Sequence, residues 1–79
     1  MATKAFVLIE TAVGKTKDVV KGLRGVGGMK SVDAVTGPYD VIAVVEASNL
    51  TAVGDLVTKS VHAAGGIIRT VTCLAIELS

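Results

Sequence analysis

The sequence predicts an α+β domain whose elements follow the order strand, helix, strand, strand, helix, strand. Three runs rich in Val, Ile, Leu and Ala have the composition of strands, and a fourth, mixed run alternates as an edge strand does. Two segments between these runs repeat their apolar residues at helical spacing, and glycines end both segments. The chain has 79 residues, which is enough for one domain. We therefore expect residues 1–79 to form a single unit.

The first half of the chain supplies a strand, a helix and an edge strand. Residues 5–11 form a continuous apolar run, which predicts the first strand. An amphipathic helix is predicted over residues 15–24, and the glycines that follow end it. Residues 29–36 alternate without a clean apolar face. Lys30 and Asp33 discourage stray pairing there, which indicates a strand at the edge of a sheet.

The second half adds a hairpin, a helix and a last strand. A short turn over residues 37–40 leads into the third strand, residues 41–47, and so predicts a hairpin with the strand before it. Asn49 is a good N-cap for a second helix over residues 50–64. Residues 67–78 form the last strand. This is the ferredoxin-like βαββαβ order, in which two helices cover one face of a four-stranded antiparallel sheet.

Both faces of the predicted sheet are apolar, although two helices can cover only one of them. In the first strand Phe6 and Leu8 lie on the face opposite Val7, and in the third strand Ile42 and Val44 are equally apolar. Monomers rarely expose an apolar patch of this size. We therefore expect a second copy of the sheet to cover the free face in a two-fold interface.

The composition excludes several other kinds of protein. The net charge of +1 predicts no strong attraction to nucleic acid or to anionic lipid. No apolar run approaches the roughly 20 residues of a membrane span, and Glu10 interrupts the first apolar run before it could serve as a signal peptide. We therefore expect a cytoplasmic protein with no membrane contact.

Catalytic and metal-binding residues are too few to form a site. Cys73 is the only cysteine and His62 the only histidine, so neither an internal disulfide nor a tetrahedral metal site is expected. Cys73 is predicted to pack in the core and His62 to lie at the rim of the second helix. The carboxylates are scattered. We expect no cofactor and no enzyme activity, with a small cofactor-free enzyme of the dimeric α+β barrel type as the alternative and a pure assembly module as a third possibility.

The turn Gly37-Pro38-Tyr39-Asp40 allows two interpretations. Glycine and proline set the backbone of a hairpin turn, and aspartate then begins the strand. A turn does not require Tyr39, which is one of only two aromatic residues in the chain. A tyrosine beside an aspartate at the rim of a sheet is also suited to binding a small ligand, and both interpretations stay open on these residues alone.

Two segments resemble a known family. Residues 35–47 are similar to the centre of the effector-binding (RAM) domain of Lrp/AsnC transcription regulators, where a Val-Thr-Gly-x-Tyr/Phe-Asp loop enters an apolar strand. Residues 66–72, Gly-Ile-Ile-Arg-Thr-Val-Thr, are similar to the family's Gly-Val-x-x-Thr-x-Thr segment. Gly14, before the first helix, also agrees. The resemblance extends over nearly the whole chain.

The resemblance implies an effector site and an assembly. Family members form dimers sheet to sheet and assemble further into octamers or decamers, with small effectors, often amino acids, bound between dimers. Asp40 would accept the ammonium group of an amino acid, and loop amides with two threonine hydroxyls would donate to its carboxylate. The ligand-binding residues implied are Gly37, Pro38, Tyr39, Asp40, Thr70 and Thr72.

One departure from the family concerns DNA. Full-length regulators carry a helix-turn-helix before this domain, whereas the first strand here is predicted from residue 5. We therefore expect a stand-alone effector-sensing module that does not bind DNA directly, with co-assembly with full-length regulators as a further expectation.

Overall fold

The strands of the sheet are ordered β2-β3-β1-β4, and all neighbours are antiparallel. The computed structural model describes residues 2–76 and 78. The predicted ferredoxin-like α+β fold is confirmed. Its elements are β1 (Thr3–Thr11), α1 (Thr16–Arg24), β2 (Met29–Ala34), β3 (Val41–Ala47), α2 (Leu50–Ala64) and β4 (Ile67–Leu74).

The core lies between the sheet and the two helices. Alternate residues of the central strands β1 and β3 are fully buried there, because one face of each strand meets the helices. Val19 and Leu23 of α1 and Val53 of α2 close the core from the other side. The sheet contributes Ala5, Val7, Ile9, Val32, Val41, Ala43 and Val45.

The last strand is shorter than predicted and ends at Leu74. Leu74 pairs with Ala5 near the start of β1, and the N–H of Ala75 still donates to the carbonyl of Lys4 at 2.9 Å. Ile76 lies beyond the strand and is exposed. The prediction also covered Glu77, which lies outside the described residues.

The other boundaries agree closely with the sequence. The Asn49 side chain accepts a hydrogen bond from the N–H of Ala52 at 2.8 Å, so the predicted cap of α2 is confirmed. Strand β2 ends at Ala34 rather than residue 36, and β1 begins at Thr3 rather than residue 5. Among the residues described, no helix is long and apolar enough to cross a membrane.

The sheet face turned away from the helices, which we call the open face, is apolar, as the sequence predicts. Two rows of paired residues cross it from β3 through β1 to β4. Cys73 lies in one of these rows and is exposed, so the prediction that it packs in the core is wrong for the single chain. The two rows are Val44, Phe6, Cys73 and Ile42, Leu8, Val71.

Candidate functional site

The loop between β2 and β3 is tied to β1 through Asp40. The N–H of Asp40 donates to the carbonyl of Ile9 at 2.9 Å, and its Oδ2 accepts a hydrogen bond from the N–H of Thr11 at 2.8 Å. The N–H of Val35 donates to the Asp40 carbonyl at 2.9 Å and closes the loop. The hydrogen bond from Thr11 therefore positions the Asp40 carboxylate without the help of a ligand.

Gly37 gives the loop a backbone conformation that other residues rarely adopt. Its φ of +141° is accessible to glycine because no Cβ meets the backbone. Pro38 follows it and fixes its own φ near the value of a turn. Together they project Tyr39 over the open face of the sheet.

Tyr39 is held by an arginine from the far side of β1. The Arg69 Nη2 donates to the Tyr39 hydroxyl at 3.2 Å, and the guanidinium carbon lies 5.8 Å from the centre of the tyrosine ring. This distance is within the range of a cation–π contact. Arg69 pairs with Glu10 of β1, so the contact links the loop to the opposite edge of the sheet.

A groove of about 450 Å³ lies beside this loop. Its floor is Leu8 and Ile42, which pair with each other on the open face. This volume is within the range of small-molecule sites, and such sites are mostly apolar with few polar groups. We call it the loop groove. Its walls are Val35, Thr36, Gly37, Pro38 and Tyr39.

Thr70 and Thr72 do not join this groove within one chain. They pair with Ile9 and Val7, whose side chains are buried under the helices. Directly paired residues share a face, so both threonines lie on the helix side of β4. The structure thus places Gly37, Pro38 and Tyr39 along the groove and Asp40 next to them in the chain, with its Oδ2 on the N–H of Thr11. The two threonines lie on the other face of the sheet.

Arg69 is the residue that the sequence analysis missed. It immediately precedes Thr70, so strand alternation places it on the face opposite the threonine. The alternation of β4 and its pairing with β1 together place Arg69 on the same face as Phe6 and Leu8.

The remaining polar residues form no second centre. Within residues 2–76 and 78, no group of three or more His, Cys, Asp or Glu side chains is placed to hold a metal ion. His62 is exposed on α2, as predicted for a rim residue.

The fold and the loop groove together define a small ligand-binding domain. Residues 4–78 match the model of the Lrp/AsnC ligand binding domain, and the chain belongs to this family. The resemblance found in the loop and in the last strand is thereby confirmed. No curated protein sequence matches the chain.

Solved structures of similar size share the fold. TTHA0845 from Thermus thermophilus is 30% identical with a TM-score of 0.88, over 98% of this chain and 96% of that one. FFRP-DM1 is 32% identical with a TM-score of 0.85, over 94% and 99%. The hypothetical protein PHS023 from Pyrococcus horikoshii is 32% identical with a TM-score of 0.84, over 99% and 93%.

Proposed function

We propose that this protein is an effector-sensing module that binds an amino acid in the loop groove at a subunit boundary. The observation that carries the proposal is the groove itself, about 450 Å³ with an apolar floor, formed by the loop that resembles the family's effector loop. An apolar floor suits a side chain, and the polar groups at its rim suit the charged ends of an amino acid.

Two more distant structures with the same fold were solved as complexes with an amino acid. The feast or famine regulatory protein Rv3291c from M. tuberculosis was solved with L-methionine and is 22% identical with a TM-score of 0.81. The regulator NMB0573 from Neisseria meningitidis was also solved with L-methionine and is 17% identical with a TM-score of 0.82. This chain covers 51% and 50% of those chains, and identities this low show only that the fold is shared.

Asp40 is the proposed partner of the ammonium group. Only one of its carboxylate oxygens accepts from Thr11, and an ionised carboxylate has further lone pairs for a cationic donor. Thr70 and Thr72 would have to enter the loop groove from another subunit, because in their own chain they lie on the helix side. A site at a subunit boundary meets that condition.

The same proposal includes the assembly. A second copy packed on the open face would remove Phe6 and its neighbours from water, and further contacts would give an octamer or decamer. The same surfaces would allow co-assembly with full-length Lrp/AsnC regulators in the cytoplasm.

The space between the helices and the sheet is too small for a substrate, which favours binding over catalysis. Enzymes of the dimeric α+β barrel type place their substrate there. In this chain the cavity bounded by Val57, Ser60 and Thr70 has a volume of about 10 Å³, which is no more than the space of one water molecule.

We expect no measurable affinity for duplex DNA at physiological salt. Non-specific binding needs several phosphates to be neutralised at once. The net charge is only +1. Both helices are packed against the sheet through buried residues, Val19 and Leu23 of α1 and Val53 of α2, so neither is free to enter a DNA groove. A mobility-shift assay tests this expectation, and submicromolar binding that weakens with salt would contradict it.

A thermal-shift screen against the common amino acids, with molar mass measured in the same samples, tests the proposed function. At least one amino acid should raise the melting temperature of the assembled protein, because a ligand that binds only the folded state stabilises it. A complete screen with no shift would overturn the proposal.

A further inference from the structure

We propose that Arg69, positioned by Tyr39 at the rim of the loop groove, recognises the effector's carboxylate, so that the groove selects amino acids that have a free carboxylate and an apolar side chain. This inference rests on the proposed function and deepens it. It assigns the carboxylate to a residue outside the site that the family resemblance implies.

The first support is the position of the guanidinium. Arg69 is exposed and belongs to an edge strand, yet its Nη2 lies 3.2 Å from the Tyr39 hydroxyl, and Tyr39 is a wall of the loop groove. The tyrosine ring, 5.8 Å from the guanidinium carbon, holds the cation at the rim. The positive charge thus lies beside the groove, although the Arg69 side chain is exposed to solvent.

The second support is the number of donors that remain. A guanidinium has N–H donors on both sides of a planar fork, and the Tyr39 contact uses one of them. The remaining donors match the two oxygens of a carboxylate in a bidentate pair. Thr70 and Thr72 lie on the helix side of β4, so within one chain Arg69 is the donor on the groove side of this strand.

The third support is the rest of the groove. Leu8 and Ile42 form an apolar floor for a side chain. Asp40 remains the proposed partner of the ammonium group, so the two charged ends of an amino acid are assigned to different residues. An α-keto acid, which has the carboxylate and lacks the ammonium, should therefore bind more weakly than the amino acid.

Glu10 is the group that opposes this recognition. It pairs with Arg69 across the ladder, so the two side chains share the open face. An effector carboxylate bound to Arg69 would therefore lie near the negative charge of Glu10. Glu10→Gln should therefore strengthen binding of anionic ligands, whereas Arg69→Gln should weaken it.

Titration calorimetry of the assembled protein tests the inference with six probes. These are L-methionine, L-leucine, their two carboxamides and their two α-keto acids. The unmodified chain should bind the amino acids, and both the amides and the keto acids about tenfold or more weakly, because each of these analogues lacks one of the two charged contacts. Arg69→Gln should weaken binding of the amino acids by a similar factor and leave the amides unchanged.

The comparison with the amides separates recognition from a structural role. A merely structural loss at Arg69 would weaken all six probes alike. Arg69→Lys should recover part of the affinity for the amino acids. Tyr39→Phe should lower that affinity a few-fold. Glu10→Gln, which removes a negative charge instead of a positive one, should change the affinity in the opposite direction. Unchanged amino-acid binding in Arg69→Gln would overturn the inference while the proposed function stands.

Two further outcomes are decisive. Failure of both amino acids to bind the unmodified chain, with some other amino acid binding, would reject the apolar carboxylate class alone. Failure of every common amino acid to bind would reject the proposed function and this inference together.

Discussion

Val44→Asp is expected to reduce the assembly to single chains of 8.0 kDa. Val44 pairs with Phe6 in the open face. Within a two-fold interface each substitution occurs twice, so two unpaired carboxylates would be buried among apolar side chains. An unpaired buried charge costs several kcal/mol, which is enough to dissociate an interface between small domains. Light scattering after size exclusion measures the mass directly.

The chain provides a matched control in Val13→Asp. Val13 lies between β1 and α1 and is fully exposed, at 102% of its reference area. The same change of side chain there should leave the mass of the assembly unaltered. The expectation of self-association itself fails if the unmodified protein is a single well-folded species of about 8.0 kDa.

A saturating amino acid is expected to raise the melting temperature by roughly ten degrees, and Asp40→Asn should abolish that rise. A ligand at about 100 times its dissociation constant stabilises the folded state by about 2.7 kcal/mol. In a domain of this size that free energy corresponds to roughly ten degrees or more if unfolding is close to two-state. Asparagine keeps an oxygen that accepts from the N–H of Thr11 and removes the charge that an ammonium requires.

Asn is the more informative replacement at this position. Asp40→Ala should also abolish the shift, but it removes the hydrogen bond to Thr11 as well, and a bond of this kind contributes about 1 kcal/mol to stability. Asp33→Asn, on the exposed edge strand β2, is the matched control and should leave the shift intact. A ligand whose shift survives Asp40→Asn would locate the ammonium elsewhere and favour the interpretation of the loop as a plain hairpin turn.

Sequence patterns predicted the order of the elements and the two faces of each strand, because both depend on neighbours along the chain. The end of β4 was not predictable in this way, since it depends on how far the strand stays paired with β1. The exposure of Cys73 was missed for a related reason: the pattern shows that both faces are apolar, but a single chain covers only one.

The candidate site likewise has a part that the local sequence predicts and a part that depends on strand pairing. The loop residues could be found because they are contiguous and resemble a family motif. The contact between Tyr39 and Arg69 joins residues 30 positions apart in the sequence and crosses β1, so it depends on how β1 pairs with both β3 and β4. The local sequence does not determine that register, and Thr70 and Thr72 lie on the opposite face of β4 from Arg69.

The floor of the loop groove is also part of the open face. Leu8 and Ile42 belong to both, so a ligand and a second subunit that bind as proposed would contact the same two side chains. If an effector changes the strength of self-association by some factor, self-association must change the affinity for the effector by that same factor, since the coupling free energy is reciprocal. A chain of this size can therefore convert the concentration of a metabolite into a change of assembly without any hinge or moving domain.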